Sequence, residues 1–108
     1  LVTLPLIVPA RADDAHSALH LYPVQVDATR CRHGRREVFD ALRQAGIGVN
    51  VHYIPVHTQP YYRRMGFRPG DFPRAEAYYA QAISLPMFAT LSDAQQDEVV
   101  AALRRALA

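Results

Sequence analysis

A stretch with helical periodicity that stops on a glycine and resumes at once as an alternating one leaves a chain few ways to fold, and residues 34–53 have this form. Val38, Phe39, Leu42 and Ala45 recur at helical spacing, while Arg35, Arg36, Asp40, Arg43 and Gln44 fall mainly elsewhere. The spacing predicts an amphipathic helix over residues 34–45. Gly46 is placed to end it in the left-handed conformation. Ile47, Val49, Val51 and Tyr53 then alternate with Gly48, Asn50 and His52, which predicts a strand over residues 47–53 whose apolar side packs on the helix. His52 is then presented on the opposite face.

The flanks extend this unit. Residues 1–17 carry Pro5, Pro9 and an Asp13-Asp14 turn without lasting periodicity, and read as an extended lead-in. Over residues 19–27, Tyr22, Val24 and Val26 alternate with Leu21, Pro23 and Gln25 and predict a strand, with Pro23 favouring an edge or a bulge. Residues 54–71 combine Pro55, Pro60, Gly66, Pro69 and Gly70 with His57, Tyr61, Tyr62, Met65 and Phe67, and predict a long aromatic loop of functional character. Asp71 is placed to cap a helix with Pro73 in its first turn, running through Tyr78, Tyr79 and Ala82. A short apolar run at residues 83–87 adds a brief strand. Ser92 with Gln95 forms a capping box ahead of a terminal helix whose stripe is Val99, Val100, Leu103 and Leu107. The fold class expected is α+β: a small sheet of about three strands with packed helices, in one domain over residues 1–108.

Composition narrows the chemistry. Half the residues are hydrophobic and a fifth charged, with a net charge of +2, which argues for a folded chain and gives no case for nucleic acid. A single cysteine, Cys31, fits a reducing, cytoplasmic setting. The apolar opening, residues 1–10, is broken by Pro5 and Pro9, too short to cross a bilayer, and lacks the basic start of a signal peptide. All twelve basic residues are arginine, so chemistry that needs a lysine amine is outside this chain's reach.

The densest polar constellation runs from His52 through Tyr53, Ile54, Pro55, Val56, His57, Thr58, Gln59 and Pro60 to Tyr61 and Tyr62. Imidazoles, phenols and an amide on a proline-stiffened loop suit hydrogen bonding to a polyhydroxylated or phosphorylated ligand, and suit equally a satisfied histidine among surface tyrosines. A zinc site on His52 and His57 lacks a third ligand at a recognised spacing. His16 and His20, or Cys31 and His33, do no better. Arg30, Arg32, Arg35 and Arg36 with His33 form a basic cluster that reads as a solvated face, with no adjacent stacking motif for RNA. No Gly-rich phosphate loop, nucleophile elbow or metalloprotease signature is present.

Taken in order, several segments form a set: His20-Leu21-Tyr22-Pro23-Val24; Phe39-Asp40-Ala41-Leu42; Ala45-Gly46-Ile47-Gly48-Val49-Asn50-Val51-His52-Tyr53-Ile54-Pro55-Val56-His57; Tyr61-Tyr62 with Phe72-Pro73-Arg74-Ala75-Glu76; and Ser84-Leu85-Pro86-Met87. The set resembles the C-terminal domain of the DegT/DnrJ/StrS nucleotide-sugar aminotransferases. Within that family it resembles the transaminases of the pseudaminic acid pathway, which aminate C4 of a UDP-linked 4-keto-6-deoxy amino sugar.

The resemblance implies the small domain of an aspartate-aminotransferase-fold enzyme dependent on pyridoxal 5'-phosphate, with glutamate as amino donor and a homodimer as the assembly. It implies that His52, Tyr53, Ile54, Pro55 and His57, with Gln59 and Tyr61, line the sugar-nucleotide side of the cleft. The Schiff-base lysine and the cofactor's ligands are implied to lie on a large domain. No catalytic, cofactor-binding or metal-binding residue is therefore expected in this chain, which should be inactive alone. The chain begins at Leu1 and not at methionine, and is expected to be a piece of something longer. Leu4, Leu6, Ile7 and Val8 are candidates for a surface left exposed without the large domain, with self-association as the consequence. The competing classes are a non-catalytic module that binds a nucleotide sugar or a full-length transaminase, and a metal-dependent hydrolase using His52 and His57.

Overall fold

The structure is a computed structural model that describes every residue except Val2, Arg11, Ala15 and Leu19. In chain order the elements are β1 (Leu6–Ile7), β2 (Tyr22–Val26), α1 (Arg35–Gln44), a 3-10 turn (Val56–Thr58), α2 (Pro60–Arg64), α3 (Pro73–Gln81), β3 (Ala82–Leu85) and α4 (Asp93–Ala106). Among the described residues the sheet has three strands in the order β1-β2-β3, all antiparallel. This is the expected small α+β unit, with its strands differently chosen.

Both long helices form where periodicity placed them. In α1, Val38 and Leu42 are fully buried and Phe39 packs partly against the core, whereas Ala45 is exposed. Glu37 at the first turn accepts the Gly34 N–H at 2.7 Å, and Gly46 follows the helix at φ +78°. In α4 the Ser92 hydroxyl accepts from Gln95 N and the Gln95 side chain accepts from Ser92 N, so the capping box is closed on both sides. Leu103 and Leu107 enter the core with Ala102, and Val99 lies at its edge. Helices α1 and α4 pack on each other, and the core they share with the sheet comprises Leu6, Val24, Val26, Val38, Leu42, Val49, Ile83, Leu85 and Leu103 among others.

The strand expected over residues 47–53 does not form. Only Asn50 reaches the sheet, exchanging backbone bonds of 2.8 and 3.2 Å with Ser84. Its own side chain takes the next amide, Val51 N–H, at 2.8 Å, which diverts the backbone from a ladder. Val49 is buried and Ile47 and Val51 are half-buried, as the alternation expected, but Tyr53, expected on the same apolar side, is 70% exposed, because the chain leaves the sheet after Asn50.

The lead-in instead supplies β1, whose Leu6 pairs with Val26 and Ile7 with Gln25. This makes β2 the central strand, contrary to the edge position that Pro23 suggested. The conflict is local: β1 reaches only Gln25 and Val26, so around Pro23 the strand has β3 alone as a neighbour. The start of the expected first strand, at Leu19, lies outside the described residues.

Three further expectations are corrected. Leu6 is buried and Leu4 and Val8 pack against the core, leaving only Ile7, 46% exposed, of the four proposed for an open surface. Residues 54–71 contain the 3-10 turn and α2, the latter begun by Pro60 at its first position, where a missing N–H costs nothing. Phe72, not Asp71, stands at the N-cap of α3, and Asp71 instead accepts the Arg68 N–H at 2.8 Å within the preceding turn.

Candidate functional site

Strand β3 is buried along its whole length. Side-chain alternation puts Ile83 and Leu85 on the core face and Ser84 on the other. Ser84, 5% exposed, faces His52: its Oγ lies 2.8 Å from His52 Nδ1. The Asn50–Ser84 backbone pair holds the two segments in this register. The Tyr53 ring meets the His52 ring edge-on at 4.6 Å, so the half-buried imidazole is restrained on two sides.

Beyond His52 the chain faces outward and inward by turns. Tyr53 is 70% exposed and Ile54 and Val56 are exposed, while Pro55 and His57 are buried. Pro55 O accepts both the Thr58 N–H and its hydroxyl, at 2.9 and 2.7 Å, and so closes the 3-10 turn. His57 Nε2 donates to Glu76 Oε1 at 2.8 Å, and its ring lies 4.8 Å from that of Phe72. The same Glu76 oxygen accepts the Gly70 N–H at 2.7 Å. These bonds hold the Glu76 carboxyl below its ordinary range, the Gly70 amide chiefly and the His57 imidazole next. One carboxylate therefore ties the turn at His57 and the turn at Gly70 to α3.

Gln59 is exposed at the head of α2, and Tyr61 is 61% exposed with its ring edge-on to Tyr62 at 5.2 Å. Tyr62, Phe67 and Phe72 continue the aromatic run at 6.2 and 6.1 Å. With Val56, His57 and Ala75 they line an open apolar cavity of about 380 Å³. A second concavity of similar size, lined by Tyr22, Leu85, Met87, Phe88, Leu91 and Val99 among others, lies along α4 and contains none of the candidate binding residues of the 52–61 segment.

The predicted residues thus divide. His52, Tyr53, Ile54, Gln59 and Tyr61 reach the surface of the 52–61 segment, whereas Pro55 and His57 are engaged beneath it. Glu76 and Ser84 had no role assigned from sequence, although both stand in quoted motifs. They are 19 and 32 residues from the histidines they hold, and no local spacing signals such a pairing.

The other candidates are dispersed. His16 and His20 lie exposed and outside any helix, and among the described residues no three His, Cys, Asp or Glu side chains group as metal ligands. In the arginine cluster, Arg36 pairs with Asp40 at 2.8 Å and Arg35 lies over the Tyr79 ring at 5.4 Å. Cys31 Sγ faces the Leu107 carbonyl at 3.8 Å. Among the described residues no helix is long and apolar enough to cross a membrane.

Imidazole, phenol and amide groups on a stiffened loop, with no amine and with Glu76 already committed, leave the 52–61 segment able to donate and accept hydrogen bonds and without a free nucleophile or carboxylate. The sequence profile of the DegT/DnrJ/EryC1/StrS aminotransferase family matches residues 2–104. The chain belongs to this family. The spore coat polysaccharide biosynthesis protein SpsC of Bacillus subtilis is 43% identical to it, over 92% of this chain and 26% of SpsC.

Solved structures of the family agree. The putative sugar aminotransferase Spr1654 of Streptococcus pneumoniae, in its PMP form, superposes with a TM-score of 0.84 at 28% identity, covering 94% of this chain and 26% of that one. DesV of S. venezuelae, in complex with a ketimine intermediate, gives 0.81 at 32% identity over the same shares, 94% and 26%. Helicobacter pylori PseC, an aminotransferase of pseudaminic acid biosynthesis, gives 0.70 at 25% identity, over 82% of this chain and 23% of PseC. The chain spans about a quarter of the length of the relatives it matches.

Family membership and PMP- and PLP-form neighbours imply pyridoxal phosphate in a complete aminotransferase of this kind. The residues present do not fit that group by themselves. Without a lysine they offer no amine to anchor it, and the loop's imidazoles and phenols supply no substitute.

Proposed function

We propose that this chain is the small-domain portion of a pyridoxal-phosphate aminotransferase that moves an amino group from glutamate to a nucleotide-linked 4-keto-6-deoxy sugar. The observation that carries this reading is the anchored 52–61 segment: His52 held on Ser84, with Tyr53, Gln59 and Tyr61 outside and His57 locked beneath by Glu76. In this role His52, Tyr53, Gln59 and Tyr61 meet the sugar nucleotide, the backbone at Ile54 and Pro55 shapes the wall, and His57 supports it. Binding and orienting are the functions such groups perform. The reacting amine and the cofactor belong to a larger domain, which accounts for a chain a quarter of its relatives' length carrying no lysine.

The narrower substrate is a UDP-linked sugar aminated at C4, as in the pseudaminic acid transaminases. The motif succession supports it, and PseC is among the structural neighbours. The whole enzyme is read as a cytoplasmic homodimer.

The test is complementation. This chain, mixed with or fused to the large domain of a family member, is assayed for glutamate-dependent amination of a panel of UDP- and dTDP-linked keto-sugars. Amination confined to UDP-linked 4-keto sugars is expected, and no activity from the 108 residues alone. Failure of complementation together with absent nucleotide-sugar binding overturns the reading. Tight calorimetric binding of a UDP-sugar by the isolated chain would favour the non-catalytic module instead.

A further inference from the structure

We propose that Ser84 is a positioning residue that fixes the tautomer of His52, so that the ring offers an Nε2–H donor to whatever occupies the loop's outer face. The argument is one of hydrogen-bond accounting. Ser84 is buried, and its backbone N–H and carbonyl are both taken by Asn50, at 2.8 and 3.2 Å. Its hydroxyl carries a proton that must find an acceptor, because a buried donor left unpaired is costly. Among the described residues the acceptor at hydrogen-bond distance is His52 Nδ1, at 2.8 Å.

A neutral imidazole has one bare and one protonated nitrogen. If Nδ1 accepts from Ser84, the ring proton sits on Nε2. The opposite tautomer would turn Nδ1–H toward the hydroxyl oxygen and strand the hydroxyl proton in a buried site. Tyr53 edge-on at 4.6 Å restricts the ring from turning away. Nε2 lies across the ring from Nδ1 and therefore points away from β3.

The consequence for recognition rests on the function proposed above: the ligand atom that meets His52 is an oxygen acceptor, such as a keto, hydroxyl or phosphoryl oxygen. The tautomer itself does not depend on that reading and is measured without ligand. If the tautomer is found and no sugar nucleotide binds, the function fails and the positioning stands.

The experiment is a long-range nitrogen–proton correlation spectrum of the histidine rings in the 108-residue chain, nitrogen-15 labelled, at a pH of about 8, where imidazole is neutral. The expected result is a bare, pyridine-type Nδ1 and a protonated, pyrrole-type Nε2 for His52. Ser84→Ala should replace this single pattern with a mixture of both tautomers, and Ser84→Thr, which keeps the hydroxyl, should restore it. A protonated Nδ1 in the unaltered chain overturns the proposal, and that measurement needs no variant to fold. So does a tautomer pattern unchanged in Ser84→Ala, which a purely structural serine would give.

Discussion

At Gly46 the backbone turns left-handed, φ +78°, and an added Cβ would meet nothing within 4 Å, so any penalty for a side chain there comes from conformation alone. Gly46→Ala should destabilise the fold by about 1 kcal/mol, the cost of holding an L-residue in that region. Gly48 has equal room and no positive φ, and Gly48→Ala should leave the urea midpoint nearly unchanged. Parallel urea titrations of the two variants check the difference.

Glu76 makes the complementary case. Its folded-state carboxyl is depressed from the ordinary 4.5, so its contribution is fully present above that value and is lost as pH falls through the lower, folded one. Thermal midpoints measured from neutral pH downward should fall more steeply in the unaltered chain than in Glu76→Gln. At neutral pH Glu76→Gln should also speed hydrogen exchange at the Gly70 amide. Equal pH slopes in the two proteins would contradict the bond pattern. Gly46 was readable because its signal is local, a glycine just past an apolar stripe. Glu76 was not, because its partners are brought to it by the path of the intervening loop.

Among the elements, α1 and α4 were legible because burial in a helix repeats at the chain's own period and the caps sit within three residues of the start. The same property makes α4 a test of where stability lies. Leu103, fully buried, should cost about 2–5 kcal/mol on truncation to alanine, against about 1 kcal/mol for Ser92→Ala at the cap. Denaturant unfolding of both variants ranks packing against capping.

Strands are the weaker case. Alternation over residues 47–53 caught the inward turn of Val49 but not the exposure of Tyr53, since a strand also needs a partner with free N–H and C=O groups to carry the pattern on. Asn50 alone finds one on β3. Conversely β1 is two residues long and has no periodicity to read; it exists because residues 25 and 26 of β2 offer an open edge. Helix α2, five residues begun by a proline, is likewise too short to stand out from a loop.

For the molecule as a whole, burial of Leu6 and packing of Leu4 and Val8 against the core move the open apolar surface to Tyr53, Ile54 and Val56, to Tyr61 on α2 and to Met65 just past its end. Self-association of the isolated chain is expected to run through this surface. Paired Ile54→Asp and Val56→Asp changes should lower the associated fraction in sedimentation equilibrium, while Ile7→Asp should leave it unaltered. A strictly monomeric unaltered chain at high concentration would remove the basis for both expectations.

What the order of amino acids determined unaided is whatever depends on near neighbours or on residue type: two helices and their ends, the inward turn of Val49, membership of an aminotransferase family, and the want of any amine to bind a cofactor covalently. Tertiary structure decided which groups meet. A hydrogen bond requires partners about 3 Å apart, and His52 with Ser84, or His57 with Glu76, attains that separation only after the sheet and α3 have packed, across intervals of 32 and 19 residues that carry no periodic trace.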